Sequence, residues 1–113
     1  MIYSQWSVVV IPYPFSDRRW TKRRPAVVLS DSLAMGESVT DQVMAMITTT
    51  LHEPWPLDVR ITDLRSAGLR AESVVRMKLF SLDYRNVTQH LGSLSVPDQT
   101  SVSASMRTLL GLA

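Results

Sequence analysis

The sequence predicts a mainly β protein, a small barrel closed by one C-terminal helix. Short apolar runs of strand-forming residues recur roughly every ten to fifteen residues, separated by turn-rich or charged segments. Such short, evenly spaced strands favour a compact barrel over a layered α/β fold. Only the last part of the chain changes to helical spacing. The length of 113 residues predicts a single domain over residues 1–113.

The first three strands are predicted from apolar runs. Residues 8–11 are β-branched, and the prolines that follow them cannot serve a central ladder. Residues 26–29 form the second run, after a charged loop at about 15–24. A loop at 31–40 precedes the third run, residues 42–48, whose apolar side chains do not alternate. This pattern indicates burial on both faces of the strand.

The second half predicts further strands and the closing helix. After a proline-rich turn, residues 57–62 alternate apolar with polar, and residues 73–77 and 79–84 predict two more strands. The end of the chain predicts a helix. Ser95 is a candidate N-cap, Pro97 is an early proline and Asp98 an acid in the first turn. Apolar residues then recur at helical spacing: Val102, Met106, Leu109 and Leu110. The strand methionines are interpreted as core or dimer-interface side chains: Met44, Met46 and Met77.

Composition excludes several classes of site. The chain has no cysteine, so disulfides and thiolate metal sites are excluded, and no convincing metal-ligand cluster or cofactor motif is present. Its longest apolar runs are far too short to span a bilayer, and the N-terminus lacks a secretory signal. We therefore expect an unexported, cytoplasmic protein that needs no metal or cofactor and does not enter a membrane.

The positive charge is concentrated in one short segment. Net charge is only +2, yet five of the twelve Lys and Arg residues fall within seven positions: Arg18, Arg19, Lys22, Arg23 and Arg24. Trp20 lies among them. Cations with an interleaved aromatic suit single-stranded RNA, whose phosphates they neutralise and whose bases stack on the ring. Alternatively, Trp20 packs on the barrel while the cations are solvated or meet an acidic partner.

Five collinear stretches together resemble the MazF/PemK toxin family. They are residues 8–17, 24–30, 45–49, 68–76 and 91–95, and the similarity spans roughly residues 5–110. The resemblance implies an SH3-like small β-barrel with a C-terminal α-helix that forms a homodimer. It also implies a type II toxin, an endoribonuclease that cuts single-stranded RNA at short motifs without a metal. Its expected partners are that RNA and an antitoxin whose acidic tail fills the RNA groove.

The chain departs from the family pattern at three places. Trp6-Ser7 replaces the usual Gly-Asp before the first strand, and Lys78 stands where one subgroup has an acid. The loop histidine of that subgroup is missing from residues 16–24. Lys78 puts a carboxylate-based proton transfer in doubt and leaves the general base unassigned.

RNA supplies its own nucleophile, the 2′-hydroxyl. A nuclease therefore has to remove that proton, stabilise charge on the phosphate and protonate the leaving 5′-oxygen. Arg24 is the first catalytic candidate, because its planar guanidinium beside the rigid Pro25 suits a phosphate. Thr48 or Thr49 is the second, through a hydroxyl at a strand end, and the sequence leaves their register open. Ordinary solvated or strand-forming roles are the alternatives.

Arg76 matches another active-site arginine of the PemK branch, to hold a phosphate or help protonate the leaving group. Its alternative role is an ion pair with a neighbouring acid such as Glu72 or Asp83. His52 follows the threonine run and is a candidate for RNA binding or proton transfer, or else a solvated turn residue. His90 is interpreted as structural.

Two other functions compete with the ribonuclease. One is a non-enzymatic toxin that poisons DNA gyrase, as the CcdB family does on a similar fold. That family relies on a C-terminal tryptophan-bearing motif, whereas this chain ends in Leu109-Leu110-Gly111-Leu112-Ala113. The other is a degenerate family member that binds RNA or an antitoxin without cutting.

Overall fold

The fold is mainly β with a C-terminal helix, as the sequence predicts, and it contains six antiparallel strands. The computed structural model describes residues 2–12 and 22–112. The strands are β1 (Ser7–Pro12), β2 (Arg23–Val28), β3 (Asp41–Thr49), β4 (Val59–Arg60), β5 (Ser73–Asp83) and β6 (Gln89–Ser93). The helices are α1 (Leu64–Ala67) and α2 (Val96–Leu110), and a 3₁₀ turn spans Tyr84–Asn86. The strands form one sheet in the order β4-β5-β3-β2-β1-β6, curled into a half-barrel.

The strand bounds differ from the sequence prediction at four places. β2 begins at Arg23, so Arg24 lies in a strand and not in a loop. The two runs predicted at 73–77 and 79–84 are one strand, because β3 pairs with residues 73–76 and 79–83 of β5 on the two sides of a single register shift. β6 was not predicted, since its sequence lacks alternation and its pairing with β1 is a tertiary contact.

The predicted strand at 57–62 shrinks to the two residues of β4. Before β4, Asp58 forms a turn with Trp55, in which the Asp58 N–H donates to the Trp55 carbonyl and the Trp55 N–H donates to the Asp58 carboxylate. After β4, the Thr62 and Asp63 N–H groups donate to the Asp98 carboxylate. These backbone groups are therefore unavailable to a longer ladder. The alternation itself is correct, because Val59 and Ile61 are buried while Arg60 is exposed.

The sheet buries apolar side chains on both of its faces. The face we call the helix face packs against Val102 of α2 and includes Val8, Val27, Ala45, Ile47, Val75 and Met77. The opposite face, here the Met44 face, includes Val9, Ile11, Ala26, Val28, Met44 and Phe80. Burial of β3 on both faces confirms the prediction made from its unbroken apolar run, and Met44 and Met77 are core residues as expected.

Asp98 connects α2 to the segment that follows β4 through hydrogen bonds. Ser95 occupies the N-cap position as predicted, but its hydroxyl makes no capping bond. The Asp98 carboxylate is only 1% exposed and accepts hydrogen bonds from the Thr62 hydroxyl (2.7 Å) and from the Thr62 and Asp63 N–H groups. Burial raises the pKa of Asp98, but the bonds from Thr62 and Asp63 outweigh it and the pKa falls below its ordinary value.

Two glycines permit a close contact between α1 and β6. A Cβ at Gly92 would lie 2.2 Å from the Ser66 carbonyl oxygen, and one at Gly68 would lie 2.2 Å from the Leu91 carbonyl oxygen. Gly68 also ends α1 in the left-handed region, with φ at 74°. No helix among the described residues is both long and apolar enough to cross a membrane.

Candidate active site

Most of the predicted catalytic residues lie on chain segments that meet at one end of the sheet. Pro12 at the end of β1 pairs with Arg23 at the start of β2, and Thr49 at the end of β3 pairs with Ser73 at the start of β5. Antiparallel pairing puts these termini side by side, since each strand ends where its neighbour begins. Residues that are distant in sequence therefore meet here.

Arg24, Thr48 and Arg76 share the Met44 face at this end. Arg24 alternates with Ala26 and Val28 along β2, and Thr48 with Met44 and Met46 along β3. The β2–β3 register, continued by two residues past the Ala26–Met46 pair, puts Arg24 across from Thr48. Arg76 lies opposite Met46 on the next strand, β5. Three of the four predicted catalytic residues thus lie on one surface of three adjacent strands.

Thr49 lies on the other face of the sheet. It alternates with Ala45 and Ile47, which belong to the helix face. Thr48 is 4% exposed, and within the described part of the chain its hydroxyl has no hydrogen-bond partner. The register that the sequence left open is therefore resolved geometrically: Thr48, and not Thr49, faces Arg24 and Arg76.

Arg76 is buried in an ion pair with Asp58. Its Nε and Nη2 donate to the two carboxylate oxygens at 3.2 and 3.0 Å, and Nη2 also donates to the Glu53 carbonyl at 2.9 Å. The side chains of Arg76 and Asp58 are only 8% and 11% exposed. The partners suggested by the sequence, Glu72 and Asp83, are wrong. They pair instead with neighbouring arginines on the surface, as the Arg60–Glu72 and Arg85–Asp83 bridges.

The pair fixes the charge state of Asp58. Burial raises its pKa, but the hydrogen bonds from Arg76 and the Trp55 N–H outweigh that effect, so the pKa falls below its ordinary value. Asp58 is therefore a carboxylate at neutral pH. Three of the five guanidinium N–H donors of Arg76 are engaged, and Nη1 bonds to none of the described residues.

Trp55 lies beside this ion pair. The guanidinium carbon of Arg76 is 4.8 Å from the Trp55 ring centroid, and Lys78 Nζ is 6.0 Å from it. Distances of this size bring a cation within reach of the ring's electrostatic field. Lys78, which replaces the acid of one family subgroup, thus contributes positive charge to this end of β5.

The remaining predicted residues are distributed differently. Arg18, Arg19 and Trp20 lie outside the described residues. Lys22 and Arg23 are exposed at the start of β2, and His52 is exposed in the turn after β3, where its N–H donates to the Thr49 carbonyl. His90 lies on β6 with its ring 5.9 Å from that of Tyr3. Among residues 2–12 and 22–112, no group of three His, Cys, Asp or Glu residues has the arrangement to hold a metal ion.

Asp58, Glu53 and Trp55 were missed as site residues in the sequence. Glu53 and Trp55 belong to the segment interpreted as a rigid proline-rich turn, and Asp58 belongs to the strand predicted at 57–62. A signal was present, because proline is favoured at the second position of type I and type II turns, the position that Pro56 occupies. That this turn folds toward Arg76 is a tertiary fact.

Comparisons with known proteins bear on the family and the fold of the chain. Residues 4–110 match the family model described as PemK-like, MazF-like toxin of type II toxin-antitoxin system. The chain belongs to this family. No curated protein sequence matches it.

Solved structures of family members share the fold at low sequence identity. The MazE–MazF complex from Deinococcus radiodurans (Form-III) matches with a TM-score of 0.78 at 19% identity, covering 100% of each chain. The Mycobacterium tuberculosis toxin MazF-mt6 gives 0.74 at 18% identity, over 95% of this chain and 98% of that one. A mycobacterial endoribonuclease in complex with its cognate antitoxin gives 0.74 at 16% identity, over 98% and 95%.

Proposed function

We propose that this PemK/MazF-family toxin is a sequence-selective endoribonuclease that cuts single-stranded RNA without a metal and so arrests translation. The observation that supports this most directly is the alignment of Arg24, Thr48 and Arg76 on one face of β2, β3 and β5. Two guanidinium groups and a hydroxyl, presented by rigid strands, form a surface matched to a phosphodiester.

The proposed reaction uses the RNA's own 2′-hydroxyl. Its oxygen attacks the adjacent phosphorus as its proton is removed, and the bond to the 5′-oxygen breaks as that oxygen takes up a proton. The products are a 2′,3′-cyclic phosphate and a 5′-hydroxyl. Arg24 stabilises the negative charge that builds on the phosphate, and the Thr48 hydroxyl positions a phosphate oxygen or the attacking ribose. Arg76 adds a phosphate contact through Nη1.

Proton transfer does not run through Asp58 in this proposal. Its lowered pKa keeps it a carboxylate held by Arg76, so it is a poor proton donor at neutral pH. Its task is to orient the guanidinium. His52, exposed in the turn that follows Thr48 and Thr49, is the candidate for proton transfer or for an RNA contact.

The partners follow the same proposal. Arg18, Arg19, Trp20, Lys22 and Arg23 bind the RNA backbone and bases. A cognate antitoxin with an acidic tail would occupy the same groove and silence the toxin, and one solved relative is a MazE–MazF complex. We propose a homodimer that acts in the cytoplasm.

The experiment is an end-mapping assay with a long single-stranded RNA in EDTA. We expect discrete cuts with 5′-hydroxyl ends from the wild-type protein. Arg24→Ala should slow cleavage by about a hundred- to thousand-fold, the usual effect of removing one charge-stabilising donor. Arg107→Ala is the matched control, because Arg107 is an exposed arginine in the last turn of α2 and should cut normally.

Each result discriminates between functions. Cuts that persist in Arg24→Ala would mean that the protein is a nuclease but that Arg24 is not one of its catalytic residues. Intact RNA bound tightly by folded wild-type protein would identify a binding-only family member. Trapped DNA breaks without RNA cleavage would instead identify a gyrase poison.

A further inference from the structure

Trp55 presents an exposed aromatic surface beside two cations. Nearly half of the residue, 46%, is exposed, whereas tryptophan in folded proteins is on average highly buried. The Arg76 guanidinium and the Lys78 ammonium lie 4.8 and 6.0 Å from its ring centroid. An aromatic ring accompanied by cations is the combination that binds single-stranded nucleic acid, because the ring stacks a base while the cations neutralise phosphates.

The turn that carries Trp55 is rigid. The Asp58 N–H donates to the Trp55 carbonyl at 3.3 Å, and the Trp55 N–H donates to the Asp58 carboxylate at 2.9 Å. Pro56 occupies the second position and Leu57, with φ at 69°, the third, as in a type II turn. The Arg76 guanidinium donates hydrogen bonds to both the Asp58 carboxylate and the Glu53 carbonyl. Because the turn is already ordered, stacking a base on Trp55 costs little additional conformational entropy in the protein.

Trp55 covers the ion pair with only part of its surface. The Arg76 guanidinium lies over the ring, and the side chains of Arg76 and Asp58 are only 8% and 11% exposed. Even with this contact made, 46% of Trp55 stays exposed. The outer part of the indole thus remains available for a ligand.

We infer that Trp55 is a base-stacking residue of the RNA-binding surface, an inference that rests on the proposed function. Arg76 lies opposite Met46, two residues along β3 from Thr48 on the same face. That spacing corresponds to about 7 Å along β3, the step to β5 adds about 5 Å across the sheet, and Trp55 lies against Arg76. The stacked base therefore belongs to a nucleotide next to the scissile phosphate, and Trp55 contributes to the choice of cleavage site.

The test measures binding of uncleavable RNA. The probe is a fluorescein-labelled single-stranded RNA with 2′-O-methyl groups on every ribose, and its affinity is measured by fluorescence anisotropy. We expect Trp55→Leu to weaken binding roughly 10- to 100-fold, and Trp55→Phe to retain most of it. Tyr84→Leu is the matched control, because Tyr84 is a partly exposed aromatic at the opposite end of β5.

An abasic series separates stacking from a structural role. Removing one base at a time from the probe should reveal a position that matters to wild-type protein and no longer matters to Trp55→Leu, since the two losses are coupled. Equal binding by wild type and Trp55→Leu, or abasic losses that are the same in both, would overturn the inference. If Trp55→Leu does not fold, the same comparison is made with Trp55→Met, which keeps an apolar side chain but has no aromatic ring to stack on a base.

Failure of this inference is distinguishable from failure of the proposed function. RNA cleavage by wild-type protein together with normal binding by Trp55→Leu would remove the stacking residue and leave the nuclease. RNA binding that depends on Trp55, without any RNA cleavage, would support the stacking residue and contradict the nuclease.

Discussion

At the scale of single residues, the departures from the family pattern have physical explanations. Trp6 stands where the family usually has glycine, and its φ of 74° lies in the left-handed region that favours glycine. That conformation costs a non-glycine residue about 1–2 kcal/mol. The Trp6 ring packs against the helix-face core, and its backbone bonds to Val28 and Leu94 hold the conformation in place.

The position of Thr48 leads to a ranked prediction. Thr48→Val keeps the side-chain shape and removes the hydroxyl from the Met44 face, so cleavage should fall about tenfold or more. Thr49→Val makes the same change on the helix face and should cut at nearly the wild-type rate. Cleavage rates of the two variants on one RNA provide the measurement. A larger loss in Thr49→Val would mean that the face assignment is wrong.

The buried Arg76–Asp58 pair predicts an asymmetric effect on stability. Asp58→Ala leaves an unpaired buried guanidinium and should lower the free energy of unfolding by about 3 kcal/mol. Adding Arg76→Met should recover much of that loss, because both charges are then gone. Urea denaturation measures both.

The exposed Arg60–Glu72 bridge is the matched control for this pair. Its side chains are 64% and 62% exposed, so Glu72→Ala should change stability by less than about 1 kcal/mol. If the double variant at 58 and 76 were as unstable as Asp58→Ala alone, unpaired charge would not be the cause.

At the scale of elements, polar contacts decide where strands and helices end. Thr62 donates its N–H and hydroxyl to Asp98 and thereby gives up any strand pairing, which ends β4 and docks α2. Gly92 and Gly68 allow α1 to lie directly against β6. The helix periodicity seen in the sequence describes α2 itself, whereas these contacts determine its placement.

Asp98 predicts a pH-dependent part of the stability. Its pKa is lowered in the folded protein from an ordinary value of 3.8, so its contribution is fully present above that value and is lost as pH falls through the folded pKa. At neutral pH, Asp98→Asn should cost about 1–3 kcal/mol.

That difference from wild type should shrink as the pH falls below 3.8. Denaturation curves across pH test this, with the exposed Glu37→Gln as control. A difference that stays constant into acid would show that the Asp98 charge is not responsible.

At the scale of the whole molecule, a single chain leaves considerable apolar surface in water. Large apolar side chains remain exposed in the 31–40 loop and at the end of α2: Leu33, Met35, Leu109, Leu110 and Leu112. A chain of 113 residues also buries limited surface on its own. Both features favour association.

We therefore expect a homodimer in solution. Sedimentation velocity should give twice the 12.7 kDa mass of the chain at the concentration used for cleavage. Dilution below the dissociation constant should reduce cleavage in step with the dimer fraction, if both protomers contribute to one groove. A monomeric species that retains full cleavage would contradict this expectation.

Side-chain periodicity and collinear motifs are local properties of the chain, so most strand runs, the closing helix and the family could be predicted from them. The sequence also identified Arg24, Thr48 and Arg76 as candidates. Only the tertiary structure decided which threonine faces Arg24, since a shift of one residue in register reverses the face. It likewise decided that Arg76 pairs with Asp58 under Trp55, and that β6 joins β1. These contacts join residues far apart in the chain, and their energies depend on burial that no local pattern encodes.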